Sequence, residues 1–187
     1  TAQTHHGYAR NLLAELIEGV WKPVGHHNFL FVVDPATSLW VGRPSEELVK
    51  FVAELHDGKD NCKRSSDYKA IAEHAISLAR DEKFFDEAPV GVACPGGFYQ
   101  IAGSEITLVP LTPDHRQRVM LEVTPAHQAT PMFDAFLHDT FMSDHEGEED
   151  QQCQLMQEIA GAIMLGIMPK YQKAALFYEP FGRAGKG

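Results

Sequence analysis

The chain has 187 residues, 44% of them hydrophobic and 22% charged, which is ordinary globular composition and excludes a wholly disordered chain. Sixteen Lys and Arg stand against 26 Asp and Glu, a net charge of −10, so a whole-surface attraction to nucleic acid is excluded and any DNA contact must come from a local patch. The longest apolar runs, such as 29–33, are far shorter than the roughly 20 residues a membrane helix needs, and no basic segment followed by an apolar stretch opens the sequence. Cys62, Cys94 and Cys153 are odd in number and widely spaced, which argues for a reduced, cytoplasmic protein and against a disulfide framework or a structural zinc site. Because Thr1 is not a start methionine, the expectation is a piece of a longer or processed chain.

In chain order, Tyr8, Leu12, Leu13, Leu16 and Ile17 recur at helical spacing and predict a helix over 4–18, stopped by Gly19. Short β segments follow at 29–33 and 38–41, joined through Asp34-Pro35-Ala36-Thr37, with Phe29, Phe31 and Trp40 giving the hairpin a buried face. Ser45 reads as the N-cap of a helix whose stripe is Leu48, Phe51, Val52 and Leu55, with Glu46 and Glu47 favourable at its positive end. A second helix is predicted over 66–81, with Tyr68, Ile71, Ala72, Ala75, Ile76 and Ala79 on one face. Between the two lies a polar linker, 57–65, carrying Lys59, Lys63 and Arg64.

From Val90 the period becomes extended. Strands are predicted at 90–94, 98–101 and 105–109, with Ala102-Gly103-Ser104 as the turn between the last two, and a further strand at 119–123. Phe133, Phe136, Leu137 and Phe141 then share one side of a helix over 131–141. The acidic stretch 143–150 reads as a solvated turn that places acids at the start of a helix over 151–168, whose stripe of Leu155, Met156, Ile159, Ile163, Met164 and Ile167 suits either a core or a subunit contact. Residues 174–178 form a short apolar run fit for a buried strand, and it leads into Pro180-Phe181-Gly182-Arg183-Ala184-Gly185-Lys186-Gly187. The fold class this order predicts is α+β, small antiparallel hairpins packed on helices with a helical C-terminal part. It divides into an accessory region over 1–130, a helical segment over 131–172, and over 173–187 the first strand and start of a phosphate loop.

The chemistry is concentrated in the tail. A buried strand followed by a glycine-rich turn ending in Gly-Lys is the entry to a phosphate-binding loop, in which Gly182 and Gly185 let backbone N–H groups curl around phosphates and Lys186 reaches the β and γ oxygens. Pro180 stands where the usual spacing has glycine, and Gly187 where the Mg²⁺-holding Ser or Thr follows. The histidine pairs His5-His6 and His26-His27 lack the four-residue spacing that chelates from one helix face, and His138 and His145 read as surface histidines, so no metal ligand is assigned. No Gly-x-Ser-x-Gly elbow or local Cys/His pair marks a nucleophile. Local basic clusters remain as DNA-contact candidates: Lys59, Lys63 and Arg64 in the interhelical linker, and Arg116 with Arg118, which alternation would place on one face of a strand.

Taken together, the order of elements resembles the domain that precedes the ATPase in phage and plasmid primase-helicases, related to the poxvirus nucleoside triphosphatase. Thr4-His5-His6-Gly7-Tyr8-Ala9-Arg10-Asn11 is similar to that family's "Gly-Asn-Ala-Arg" helix start, with Tyr8 in place of the usual asparagine. The hairpin over 29–40 ending in Trp40, the stretch Pro95-Gly96-Gly97-Phe98 with Gly103-Ser104-Glu105-Ile106, the helix over 133–141, Ile159-Ala160-Gly161, and the segment 173–186 follow in the family's order. The resemblance implies a parent enzyme that is a superfamily 3, AAA+-type hexameric DNA helicase, with ATP and Mg²⁺ as its cofactors and Gly185 and Lys186 at the start of its ATP site. For this chain it implies an accessory role in DNA engagement and ring assembly, with no ATP hydrolysis of its own and no cofactor, because the remaining motor elements would lie beyond residue 187. The alternatives are a structural protein-interaction module without ligand and a small P-loop phosphotransferase.

Overall fold

The computed structural model describes residues 4–103, 105–126, 128–141, 147–165 and 167. The architecture is α+β: five α-helices and two separate three-stranded antiparallel sheets among the described residues. Helix α1 (His5–Glu15) starts where the Thr4 hydroxyl accepts the Gly7 amide, satisfying one of the free donors of the first turn. Strands β1 (Val24–His26), β2 (Phe29–Val33) and β3 (Trp40–Pro44) form the first sheet with β2 at its centre. Helices α2 (Ser45–His56) and α3 (Ser65–Leu78) complete the first half.

Side-chain alternation along β2 gives this sheet two apolar faces. Leu30 points to the helices and packs with Leu48, Ala72 and Ile76. On the opposite face Phe31 and Val33 join Val24 and Trp40, and this face is covered by Trp21, Phe84 and Phe85 rather than by a helix. The three helices meet one another around Tyr8, Ala9, Leu12, Val52, Cys62, Ile71 and Ala75.

Strands β4 (Gly91–Cys94), β5 (Gly97–Ala102) and β6 (Glu105–Val109) build the second sheet, with Phe98 of β5 fully buried and stacked on His115 at 4.2 Å between ring centres. Helices α4 (Pro131–Thr140) and α5 (Glu148–Met164) pack on each other. Glu148, Glu149 and Asp150 occupy the first turn of α5, as the acidic stretch predicted. Cys62, Cys94 and Cys153 are all buried free thiols. No helix among the described residues is long and apolar enough to cross a membrane.

Several expectations need correction. Strand β1 escaped notice because three residues containing a glycine carry no periodicity. The strand expected at 119–123 is irregular chain, tied to the sheet among the described residues by a backbone bond from the Leu121 amide to the Ala93 carbonyl. Pro44, not Ser45, occupies the N-cap of α2, and the Ser45 hydroxyl is buried without a hydrogen-bond partner among the described residues. Of the two readings of the α5 stripe, a closed core does not hold among the described residues. Leu155, Ile163 and Met164 are exposed, Ile163 by 61%, Met156, Ile159 and Ile167 are half-buried, and Cys153 is the buried residue of the helix.

Gly25 fixes the sheet to α3. A Cβ built there would lie 2.2 Å from the Ile76 carbonyl oxygen, a backbone atom that cannot swing away. Gly25→Ala is therefore expected to destabilise the fold by about 1–3 kcal/mol, the range for overpacking a tight site, read as a lowered denaturant midpoint at unchanged m-value. An unchanged midpoint would show that the contact is not tight.

Candidate functional site

The close approach at Gly25 builds a polar cluster at the tip of the β1–β2 hairpin. The Gly25 amide donates to the Ala79 carbonyl at 2.8 Å, and its carbonyl accepts from the Asp81 amide at 2.8 Å. This short parallel bridge, paired at Arg80, carries the chain past the end of α3 and delivers Glu82 to the hairpin. His26 is the last residue of β1 and is 8% exposed; His27 opens the turn at φ +51, a left-handed conformation uncommon outside glycine. The two imidazole rings lie 4.1 Å apart between centres. Glu82 Oε2 faces both, 4.0 Å from His26 Nε2 and 3.4 Å from His27 Nδ1, and also accepts the His27 amide at 3.3 Å. The other oxygen, Oε1, is held by Arg80 Nε at 3.3 Å. Two imidazole nitrogens and a carboxylate oxygen within 4.8 Å of one another are a donor set for a divalent transition ion.

The hairpin adjoins an arginine–aromatic face. Phe85 meets Phe31 edge-on at 4.7 Å and His26 at 5.3 Å, and Phe84 meets Trp40 at 4.8 Å. The segment after the second sheet is pinned onto this cluster. Trp40 Nε1 donates to the Pro113 carbonyl at 2.8 Å, the Trp40 amide to the Gln117 carbonyl at 2.8 Å, and Trp21 Nε1 to Asp114 at 3.2 Å. Residues Pro113–His115 form a single 3₁₀ turn, and Arg116 follows in the left-handed region at φ +53.

Arg116 and Arg118 do share a face, but not by strand alternation. The left-handed residue, together with anchoring by Trp40, turns this irregular segment so that both guanidinium groups lie over aromatic rings. Arg116 covers Phe84 at 4.5 Å and donates to the Phe84 carbonyl at 2.8 Å. Arg118 covers Phe85 at 4.8 Å, reaches Phe31 at 6.0 Å, and is exposed with no ion pair among the described residues. Phe29, 42% exposed, continues the same sheet face beyond Phe31.

The interhelical linker is organised differently. Lys59 Nζ donates to the Leu55 carbonyl at 3.0 Å, closing the end of α2, and Lys63 pairs with Asp60 at 3.5 Å. The amides of Lys63 and Arg64 donate to the Asp67 carboxylate at 3.1 and 3.0 Å, which caps α3 and lowers the Asp67 pKa. With Asp57, Asp60 and Asp67 interleaved among Lys59, Lys63 and Arg64, the linker offers phosphates little net charge. Beneath it, Tyr8 packs on His56 at 4.8 Å and donates to the Asp60 carbonyl at 2.9 Å. Burial pushes the Cys62 thiol up, as do Asp67 and Asp57, so it is no activated nucleophile. The hydrogen bond to Asp57 pushes the Tyr68 phenol up to about 12.

Gly182, Gly185 and Lys186, the nucleotide-binding candidates, lie outside the described residues, as does His145. His138 pairs with Glu149 across α4 and α5. Sequence reading missed the His26–His27–Glu82 cluster because its third member lies more than fifty residues away along the chain; a histidine pair ending one short extended segment was the available signal. Comparison of the chain with protein-family models, with curated proteins and with solved structures finds no match.

Burial, and secondarily Lys59, holds the His56 imidazole below its usual 6.5. The unfolded chain then binds the extra proton, so His56 contributes stability that is fully present above 6.5 and declines as the pH falls from there toward its folded-state value. Denaturant unfolding at pH about 7.5 and about 5 should show the loss on acidification, and His56→Phe should reduce it. Equal slopes in the two proteins would remove His56 as the cause.

Proposed function

We propose that this chain is an accessory domain of a phage- or plasmid-type primase-helicase, a non-hydrolytic module that engages DNA beside an ATP-driven hexameric motor. The observation that supports DNA engagement best is Arg118: an exposed guanidinium without an ion pair among the described residues, held over Phe85 and next to a sheet face that ends in the exposed Phe29. An arginine for the backbone and an aromatic ring for a base are the two elements of single-strand binding. Asp86 and Glu87 follow Phe85 directly, so the patch is small, and the net charge of −10 keeps the interaction weak.

Fluorescence anisotropy with a labelled single-stranded oligonucleotide at several salt concentrations tests this reading. Binding is expected at low salt with a shallow slope, and Arg118→Ala should reduce its magnitude by about 0.7, one phosphate contact on a single strand. Lys63→Ala with Arg64→Ala should change it less than Arg118→Ala, because Asp57, Asp60 and Asp67 surround those side chains and offset their charge. Absence of binding to single strands, duplexes and forks at low salt would overturn the reading.

A second reading, a protein-interaction module, is favoured by one feature: Met132, Phe133 and Phe136 on α4 and Leu155, Ile163 and Met164 on α5 are all exposed. The same surface would serve ring assembly. Ile163→Asp is expected to leave unfolding stability within about 0.5 kcal/mol, as at other exposed sites, while reducing any self-association seen by analytical ultracentrifugation. A large loss of stability in a chain that stays monomeric would mean the stripe is internal.

A further inference from the structure

We propose that His26, His27 and Glu82 bind one divalent transition ion of the Zn²⁺ class, fastening the β1–β2 hairpin to the chain beyond α3. The assignment is independent of DNA binding.

Three observations carry it. First, the donor atoms stand together without closing into direct hydrogen bonds. The His27–Glu82 pair has the separation a shared ion requires, and the His26–Glu82 pair is wider, so His26 must move in slightly to join it. Donor atoms bonded at about 2.0–2.2 Å to one tetrahedral ion stand about 3.3–3.6 Å apart. Glu82 Oε2 lies 3.4 Å from His27 Nδ1 and 4.0 Å from His26 Nε2, and all three donor atoms fall within 4.8 Å of one another. Hydrogen bonds from imidazole to carboxylate would instead close to about 2.7–3.2 Å.

Second, the donors are oriented by their surroundings. Arg80 holds Oε1 of the same carboxylate, and Oε2 accepts the His27 amide with one lone pair, which orients it and leaves its second lone pair for the ion. Phe85 and Phe31 meet the nearly buried His26 ring edge-on at 5.3 and 6.1 Å. Such outer partners are what fix ligand geometry in metal sites. Third, His27 adopts φ +51, an uncommon backbone conformation that brings a second imidazole to the first.

The donor chemistry selects the ion. Two imidazole nitrogens and one carboxylate oxygen favour Zn²⁺ over Mg²⁺ or Ca²⁺, which prefer oxygen shells. With three protein ligands, a fourth position is left for water. The ion would hold two segments already joined at Gly25, so its binding stabilises the folded chain by mass action.

The test is titration of the 187-residue chain with Zn²⁺, followed by calorimetry and by thermal unfolding, with Co²⁺ as a spectroscopic stand-in. One equivalent should bind tightly and raise the melting temperature, and Co²⁺ should give visible d–d bands. His26→Gln and Glu82→Gln should each weaken that equivalent by more than about tenfold and abolish the thermal shift, a loss at least as large as that for outer-shell partners. His6→Gln with His74→Gln, which removes a different histidine contact (3.1 Å between ring nitrogens), should leave it unchanged. Circular dichroism confirms folding, and Glu82→Gln, a surface substitution, keeps the test informative if His26→Gln unfolds. Tight binding that survives Glu82→Gln, or no tight equivalent in the unaltered chain, would overturn the assignment.

Discussion

The backbone contact between Gly25 and the end of α3 is the constraint on which the first half of the molecule depends. Two hydrogen bonds of 2.8 Å join Gly25 to Ala79 and Asp81, and only a residue without a side chain permits the approach. That contact sets how the helix-facing side of the sheet meets α3, so Leu30 reaches Ala72 and Ile76. It also fixes the exit of the chain from α3, which places Glu82 at the hairpin tip and Phe84 and Phe85 over the other sheet face. A single steric condition therefore organises a core and a polar cluster at once.

The outer sheet face shows how a small domain buries aromatics without a second layer of helices. Trp40, Phe84, Phe85 and Phe31 meet edge-on, the favoured arrangement for ring quadrupoles, and the two guanidinium groups close the exposed side. Arg116 is committed to this structure by its bond to the Phe84 carbonyl, whereas Arg118 combines packing with an exposed charge. That difference separates a structural arginine from one free to meet a ligand. The interhelical linker gives the contrasting case, where the Leu55 carbonyl engages Lys59, Asp60 pairs with Lys63, and the neighbouring aspartates offset the remaining positive charge.

Much of the fold was legible in the sequence. The helical stripes of α1, α2 and α3 and the aromatic strand β2 announce themselves because each buries one face, and burial imposes a period. The hairpin β5–β6 is marked instead by β-favouring residues around a glycine turn, since β6 is almost wholly exposed. The failures share a cause. Strand β1 is too short to carry a period, the segment 119–123 has β-favouring residues but a backbone bond to the sheet in place of a ladder, and the α5 stripe has a helical period but is only partly covered among the described residues.

The sequence by itself determined the α+β class, the positions of most elements, the reduced state expected of three scattered cysteines, and the excess of acid that restricts nucleic-acid contact to local patches. Only the tertiary structure decided which charges are spent and which are available, and which histidines converge. His26, His27 and Glu82 meet because a glycine lets two backbones touch, and Arg118 lies on Phe85 because Trp40 pins a loop more than seventy residues away along the chain. Periodicity records which face of an element is buried, but the meeting of distant side chains depends on steric fit and hydrogen bonds between elements, which no local pattern encodes.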